Sequence, residues 1–318
     1  MRIPPSLKCH LLRTQPLLLP LLRANRSLSA ARSELRWLTE HFRGRPHFSR
    51  RLAAACLARA HYAVPLQYIL GSQPFGCGLD IRCRRGVLIP RWETEEWGIR
   101  LARHVRQAHE FFSGNEDSSS TSTFTVLDIC TGSGCVALLM AQELVAVPGK
   151  TVAVSAFDVS PTAIALAKEN LVRNAAHLPP SSSVCFKIAD LFQYHIPMHT
   201  IADLVVANPP YISLEHYTSR AHTARSVRVH EPKLALVGGV EFYTAIFDIA
   251  WRAGAGAIVS ELADEEQFLD ICDALLDVYD NKFICGAMRD TAGNVRTIVA
   301  YRADRPEWAH MRDLFDVS

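Results

Sequence analysis

The chain has 318 residues, 49% of them hydrophobic, enough to fill one large domain with a smaller one beside it and too apolar for a disordered chain. Its formal net charge is +2, yet Arg2, Lys8, Arg13, Arg23, Arg26 and Arg32 precede the first acid, Glu34, so the remainder carries 28 positive against 32 negative side chains. That mildly acidic body gives no electrostatic case for direct nucleic-acid binding.

The start of the chain, Arg-rich, Ser-containing and free of acids, has the composition of a mitochondrial matrix-targeting segment, which we place at residues 1–30. Its apolar run at 16–22 is too short to cross a bilayer and is broken by proline, and no other run approaches spanning length, so no membrane association is expected. Apolar residues at helical spacing over 31–41 and 50–61 predict a small helical domain covering 31–74. Between 75 and 92 the pattern changes. Phe75, Leu79, Ile81, Val87, Leu88 and Ile89 are interrupted by Gly76, Gly78 and Gly86, as in a hairpin that links two units. The remaining unit is 93–318. Two polar low-complexity loops, 113–123 and 177–183, fall inside it.

From Thr125 onward strands and helices alternate. Strands are predicted at 125–130, 151–158, 184–189, 202–207, 256–260, 282–287 and 296–301, and helices at 134–145, 161–175, 240–253 and 264–278. Such alternation implies an α/β domain, a mostly parallel sheet with helices on both faces. The last two strands have no helix between them and are expected to pair antiparallel at one edge.

The first of these strands contains Asp128 and runs into Cys130-Thr131-Gly132-Ser133-Gly134, after which a helix starts. Glycines at a strand-to-helix turn let a ligand approach the backbone, and the helix start offers free N–H groups. Asp158 ends the second strand, where a carboxylate accepts hydrogen bonds from ribose hydroxyls, and Asp190-Leu191 with Phe192 end the third, placed to flank an adenine ring. Gly132-Ser133-Gly134-Cys135-Val136-Ala137 also fits the dinucleotide fingerprint, so this part alone does not choose between cofactors.

The fourth strand decides it. Leu204-Val205-Val206-Ala207 ends in Asn208-Pro209-Pro210-Tyr211. The Asn208 amide oxygen and the Pro209 main-chain carbonyl can accept both hydrogens of a planar –NH2 group, with Tyr211 packing on its plane. In the usual strand order the first and fourth strands are neighbours at the switch point, so this tetrapeptide faces the glycine turn. That pairing points to S-adenosylmethionine as the cofactor, with Asn208, Pro209, Pro210 and Tyr211 as catalytic candidates.

Nine cysteines include no C-x-x-C pair, and Cys130, Cys135, Cys185 and Cys285 lie in apolar segments, the setting of reduced core residues. His195 and His199 flank Pro197, which spoils a shared helical face, so no metal site is expected. Glu93 and Glu95 fit a solvated helix start, His230-Glu231-Pro232 a structural turn, and Glu261 either an ion-pair partner or the wall of a substrate site.

These motifs, in order, resemble the protein-(glutamine-N5) methyltransferases of the HemK/PrmC family, over nearly everything after residue 30. The resemblance is carried by Pro65-Leu66-Gln67-Tyr68-Ile69-Leu70-Gly71, the stretch 87–95, the loop 128–134, the tetrapeptide 208–211, Glu231-Pro232 with Ala235-Leu236, Gly238-Gly239, and Arg289-Asp290, Gly293 and Arg296 near the end. It implies a seven-stranded, Rossmann-like class I methyltransferase domain behind a small N-terminal helical domain that docks the substrate. It also implies S-adenosylmethionine held by Asp128, Cys130, Thr131, Gly132, Ser133, Gly134, Asp158, Asp190, Leu191 and Asn208. The substrate implied is the Gly-Gly-Gln glutamine of a class I peptide chain release factor, modified by a monomeric enzyme. Glu93 becomes a candidate pocket residue by the same resemblance. Two departures stand out: Cys130 occupies the first glycine position of the usual loop, and Trp92 replaces the second proline of the usual P-R-P-E-T stretch, which puts the cofactor lid in question. Competing readings are an adenine-N6 methyltransferase, a nicotinamide-dependent oxidoreductase and a cofactor-binding protein without turnover. The acidic body opposes the first, and Asn208 to Tyr211 have no use in the second.

Overall fold

The computed structural model describes residues 4–112, 122–144, 150–194 and 201–317. Five helices come first: α1 (Pro5–Thr14), α2 (Leu18–Asn25), α3 (Leu28–Phe42), α4 (Phe48–Tyr62) and the single turn α5 (Leu66–Leu70). The leucines of α2 explain why this start is folded. Leu18, Leu21 and Leu22 share a face at helical spacing and are buried against Ala31, Leu38, Leu52 and Cys56 of α3 and α4. Asn25 donates to the buried Glu34 carboxylate over 2.5 Å, and Arg59 pairs with the same group, so the first acid of the chain is a tie point between three helices. Helices α1 and α2, ahead of residue 31, thus pack on α3 and α4, because an apolar leucine face takes shelter whatever its flanking charge.

A two-stranded hairpin follows, β1 (Ser72–Phe75) paired antiparallel with β2 (Leu79–Arg82). It is shorter and earlier than the expected 75–92. Residues 86–91 form an extended strap instead of a strand, tied down by Tyr68 Oη, which donates to Val87 O at 2.9 Å. The hairpin is fastened to the next domain by two buried asparagines one helical turn apart. Asn170 Oδ1 accepts from Arg82 N at 2.8 Å, and Asn174 Oδ1 accepts from Asp80 N at 2.8 Å.

The large domain runs α6 (Trp92–Phe112), β3 (Ser122–Ile129), α7 (Cys135–Glu143), β4 (Lys150–Asp158), α8 (Pro161–Arg173), β5 (Ser182–Ile188), β6 (Leu204–Ala207), α9 (Leu214–Thr218), α10 (Arg225–His230), α11 (Val240–Arg252), β7 (Ala257–Glu261), α12 (Glu265–Tyr279), β8 (Phe283–Arg289) and β9 (Val295–Arg302). Its seven strands lie in the order β5-β4-β3-β6-β7-β9-β8. The five inner and left-hand strands are parallel, and β9 and β8 complete the sheet antiparallel, as expected from the missing helix between them. One face carries α6, α7 and the turn of 3₁₀ helix Pro306–Leu314, the other α11 and α12. Helix α7 sits deepest, with Cys135 to Ala141 all buried, which is why its sequence has no polar face.

The low-complexity loop 113–123 lies mostly outside the described residues, as do His195 and His199. Among the described residues there is no cluster able to hold a metal ion and no helix long and apolar enough to cross a membrane. Of the four cysteines expected in the core, Cys135 is buried, Cys130 and Cys285 are half-buried and Cys185 is exposed. Cys185 lies near the sheet edge on β5, where alternate positions face solvent.

Asn170 also donates to Ser133 O at 2.9 Å, so one amide joins hairpin, helix and glycine loop. Asn170→Ala strands these buried partners and should destabilise the protein by about 1–3 kcal/mol for each group left without a hydrogen bond, measured by urea denaturation.

Candidate active site

Strands β3 and β6 are adjacent and parallel, with Ile129 opposite Ala207, so the chain leaves both strands side by side at the carboxyl edge of the sheet. A cleft of about 270 Å³ opens there. It is bounded by the loop after β3, the ends of β4 and β5, residues 208–210, and the strap 86–91. Asp128, Cys130, Thr131, Gly132, Ser133, Asp158, Asp190, Leu191 and Asn208 all border it. Of the expected cofactor set, Gly134 alone stands back, as the residue capping α7.

The loop is held from within. Asp128 is buried and accepts from Thr131 Oγ1 at 2.6 Å, and desolvation pushes its pKa up to about 7. Asp158 accepts from Gly132 N at 2.9 Å through one oxygen and from Ser160 N at 2.8 Å through the other. Each oxygen keeps a lone pair for a ligand hydroxyl. Burial raises its pKa while the two backbone donors oppose that rise. Gly134 has φ +80, and a Cβ there would stand 2.9 Å from the Phe186 ring. Cys130 also occupies the left-handed region, at φ +60, a conformation that glycine adopts without strain. Its thiol is held well above the ordinary range by burial and by the three neighbouring aspartates.

On the far wall, Asp190 Oδ1 caps the turn after β5 by accepting from Phe192 N at 3.0 Å. Leu191 is buried beneath it, and the Phe192 ring stands edge-on to Phe242 at 5.0 Å. With Val87 on the strap these side chains form an apolar slot beside Asp158.

Within the tetrapeptide, Asn208 and Pro210 border the cleft, Pro209 is buried behind them, and Tyr211 turns its hydroxyl to Glu261 Oε1 at 3.0 Å. Glu261 is fully buried at the end of β7, and desolvation raises its pKa. It accepts from Thr94 Oγ1 at 2.5 Å and Trp97 Nε1 at 2.8 Å, both on α6, and Asn208 Nδ2 lies 3.1 Å from Thr94 Oγ1. Gly238 lies so close to this segment that a Cβ would stand 2.3 Å from the Pro210 carbonyl oxygen.

Several roles are redrawn. Trp92 is half exposed at the start of α6 and does not border the cleft. Glu93 faces a small surface crevice with Arg289 and Arg296 rather than the cleft. Glu95 accepts from Gly76 N at 3.0 Å and so ties the hairpin turn to α6. Glu231 is more than a turn residue: it is buried, pairs with Arg91 at 2.7 Å and accepts from Ile89 N at 3.2 Å, pinning the strap to the segment 232–235 across the cleft. Sequence reasoning singled out neither Thr94 nor Trp97. Their spacing of three, which puts both on one face of α6 opposite the acid at position 261, is the signal that could have found them.

Two outcomes follow. Cys130→Gly should stabilise the protein by about 1 kcal/mol, the left-handed penalty less the glycine entropy cost, read as a higher denaturant midpoint. Asp128, with its folded pKa near 7 against an ordinary 3.8, keeps a proton that the unfolded chain releases, so its contribution to stability falls as pH rises through that window. Asp128→Asn should therefore gain melting temperature relative to the wild type between about pH 4 and 7 and hold that margin at higher pH.

A family model described as the methyltransferase small domain matches residues 115–235. The mitochondrial MRF1 N(5)-glutamine methyltransferase MTQ1 of Saccharomyces cerevisiae is 34% identical over 307 residues, which cover 95% of this chain and 89% of that protein. The probable MRF1 mitochondrial N(5)-glutamine methyltransferase mtq1 of Schizosaccharomyces pombe is 33% identical over 326 residues, covering 96% and 98%. A release factor glutamine methyltransferase of Fusobacterium nucleatum is 32% identical over 259 residues, covering 78% of this chain and 63% of that one.

Proposed function

Because this chain belongs to the family of release factor glutamine N5-methyltransferases, we propose that it methylates the side-chain nitrogen of the glutamine in the Gly-Gly-Gln motif of a class I peptide chain release factor, using S-adenosylmethionine. The observation that carries this reading is the meeting of Asn208 and the loop after β3 in one cleft.

The residues present fit that cofactor. Asp158 offers acceptors for two ribose hydroxyls, the slot of Val87, Leu191 and Phe192 suits a flat adenine ring, and the acid Asp190 on the cleft wall suits a ligand bearing positive charge. When bound, the cofactor supplies an electrophilic methyl group.

The protein's part is positional. An amide nitrogen is a weak nucleophile, since its lone pair is delocalised into the carbonyl. In our reading the Asn208 Oδ1 and the main-chain carbonyl of Pro209 accept the two N–H groups of the substrate and set the nitrogen's direction, an ordering that contributes about 7–11 kcal/mol in favourable cases. No strong base is assigned, because the amide proton becomes acidic once the nitrogen is methylated. The strap 86–91, clamped through Arg91 and Glu231, keeps water from one side of the reacting centre.

We place the protein in the mitochondrion, in the matrix, on the acid-free basic start of the chain and on the two fungal relatives named as mitochondrial. The helical unit is assigned to docking the release factor, with one copy of the enzyme acting alone.

Incubation of a mitochondrial release factor with the protein and labelled cofactor should put one methyl group on the Gly-Gly-Gln glutamine by mass spectrometry; label in nucleic acid instead would overturn the assignment. Asn208→Ala should lower turnover about 100-fold or more while cofactor affinity, measured by calorimetry, stays near the wild-type value.

A further inference from the structure

We propose that Thr94 and Glu261 are positioning residues that lock the Asn208 side-chain amide in the one orientation able to accept a hydrogen bond from a substrate –NH2 group. This deepens the function proposed above and rests on it. The inference follows from counting donors. Trp97 Nε1 can only donate, and it lies 2.8 Å from Glu261 Oε2, so that oxygen is an acceptor. With the Glu261 carboxyl ionised, Thr94 Oγ1, 2.5 Å from the same oxygen, donates its single proton there. A hydroxyl with its proton committed has only lone pairs to offer, so the group 3.1 Å away on Asn208 is the donor, Nδ2. Oδ1 is thereby left as the end of the amide that a ligand meets. Turned over, Asn208 would set its oxygen against the lone pairs of Thr94 and its –NH2 against the substrate –NH2, donor against donor.

The chain of bonds joins three elements, α6 with Thr94 and Trp97, β7 with Glu261, and the end of β6 with Asn208. Its anchor is firm. Glu261 is 1% exposed, its second oxygen accepts from Tyr211 Oη at 3.0 Å, and its main-chain carbonyl accepts from Tyr243 Oη at 2.8 Å. A buried carboxylate with every donor around it assigned cannot turn to suit a misplaced amide.

Thr94→Val removes the hydroxyl at nearly constant volume. It should lower kcat about 100-fold, the scale on which a misplaced reacting group slows turnover, with KM for the release factor and cofactor affinity unchanged. Thr94→Ser should restore kcat. Glu261→Met should match Thr94→Val, whereas Glu261→Gln should recover most of that loss, because Trp97 compels the glutamine carbonyl, not its –NH2, to face Thr94. The Thr94→Val, Glu261→Met double variant should be no slower than either single one, since both act through one amide. A measurement independent of turnover is the NMR signal of the Asn208 side-chain amide, identified by its loss in Asn208→Asp. One of its protons should exchange slowly in the wild type and quickly in Thr94→Val. Wild-type kcat in Thr94→Val, Glu261→Gln as slow as Glu261→Met, or an Asn208 signal indifferent to Thr94→Val would each overturn the proposal. Should the wild type leave the release factor unmodified, the function fails on its own and the amide signal still decides the relay.

Discussion

The site depends on the parallel pairing of β3 with β6. Four residue pairs, from Val126 with Leu204 to Ile129 with Ala207, run down the middle of the sheet, and the β6 side chains are wholly buried. To the left of that pair the chain winds outward through β4 and β5, and to the right through β7, so connections on the two sides leave in opposite directions and open a crevice between them. The loop after β3 and the tetrapeptide after β6 both empty into it. Neither segment could be moved without breaking the central ladder, and a one-residue slip would turn Asp128 and the β6 core to the wrong faces.

Around this constraint the protein keeps its carboxylates buried and paired. Asp128 closes the glycine loop, Glu231 clamps the strap, Glu261 gathers donors from α6 and from Tyr211, and Glu34 ties the helical unit together. Glu231 and Glu261 join segments remote in sequence, Asp128 closes a turn three residues long, and a buried ionised group tolerates no loss of its partners. Rigidity at the cleft is thus a product of polar bonding as much as of the apolar layers on either side of the sheet.

The alternation of strands and helices from Thr125 onward was legible, because each β run is apolar, rich in branched residues and bounded by turn chemistry. The gathering of Asp128, residues 130–133, Asp158, Asp190, Leu191 and Asn208 around one cleft was legible too, since strand ends have a fixed place in such sheets. What escaped was cross-chain bonding. Asn170 and Asn174 look like ordinary polar positions on α8, and only the folded hairpin shows them to be fasteners. Thr94 and Trp97 escaped for the same reason, their partner being more than 160 residues away. At the start of the chain, basic composition drew the eye away from the leucine periodicity by which α2 packs on α3 and α4. Trp92 and Glu93 were drawn toward the cleft by their neighbours in sequence, while the turn of α6 points only Thr94 inward.

The left-handed residue in the glycine loop has a chemical corollary. A thiol beside a cofactor would ordinarily be exposed to peroxide and electrophiles, which attack its ionised form. Cys130 is kept protonated by burial and by the aspartates around it. Burial and these acids therefore disfavour the thiolate, the form that oxidants attack, at a point of the loop that borders the cleft.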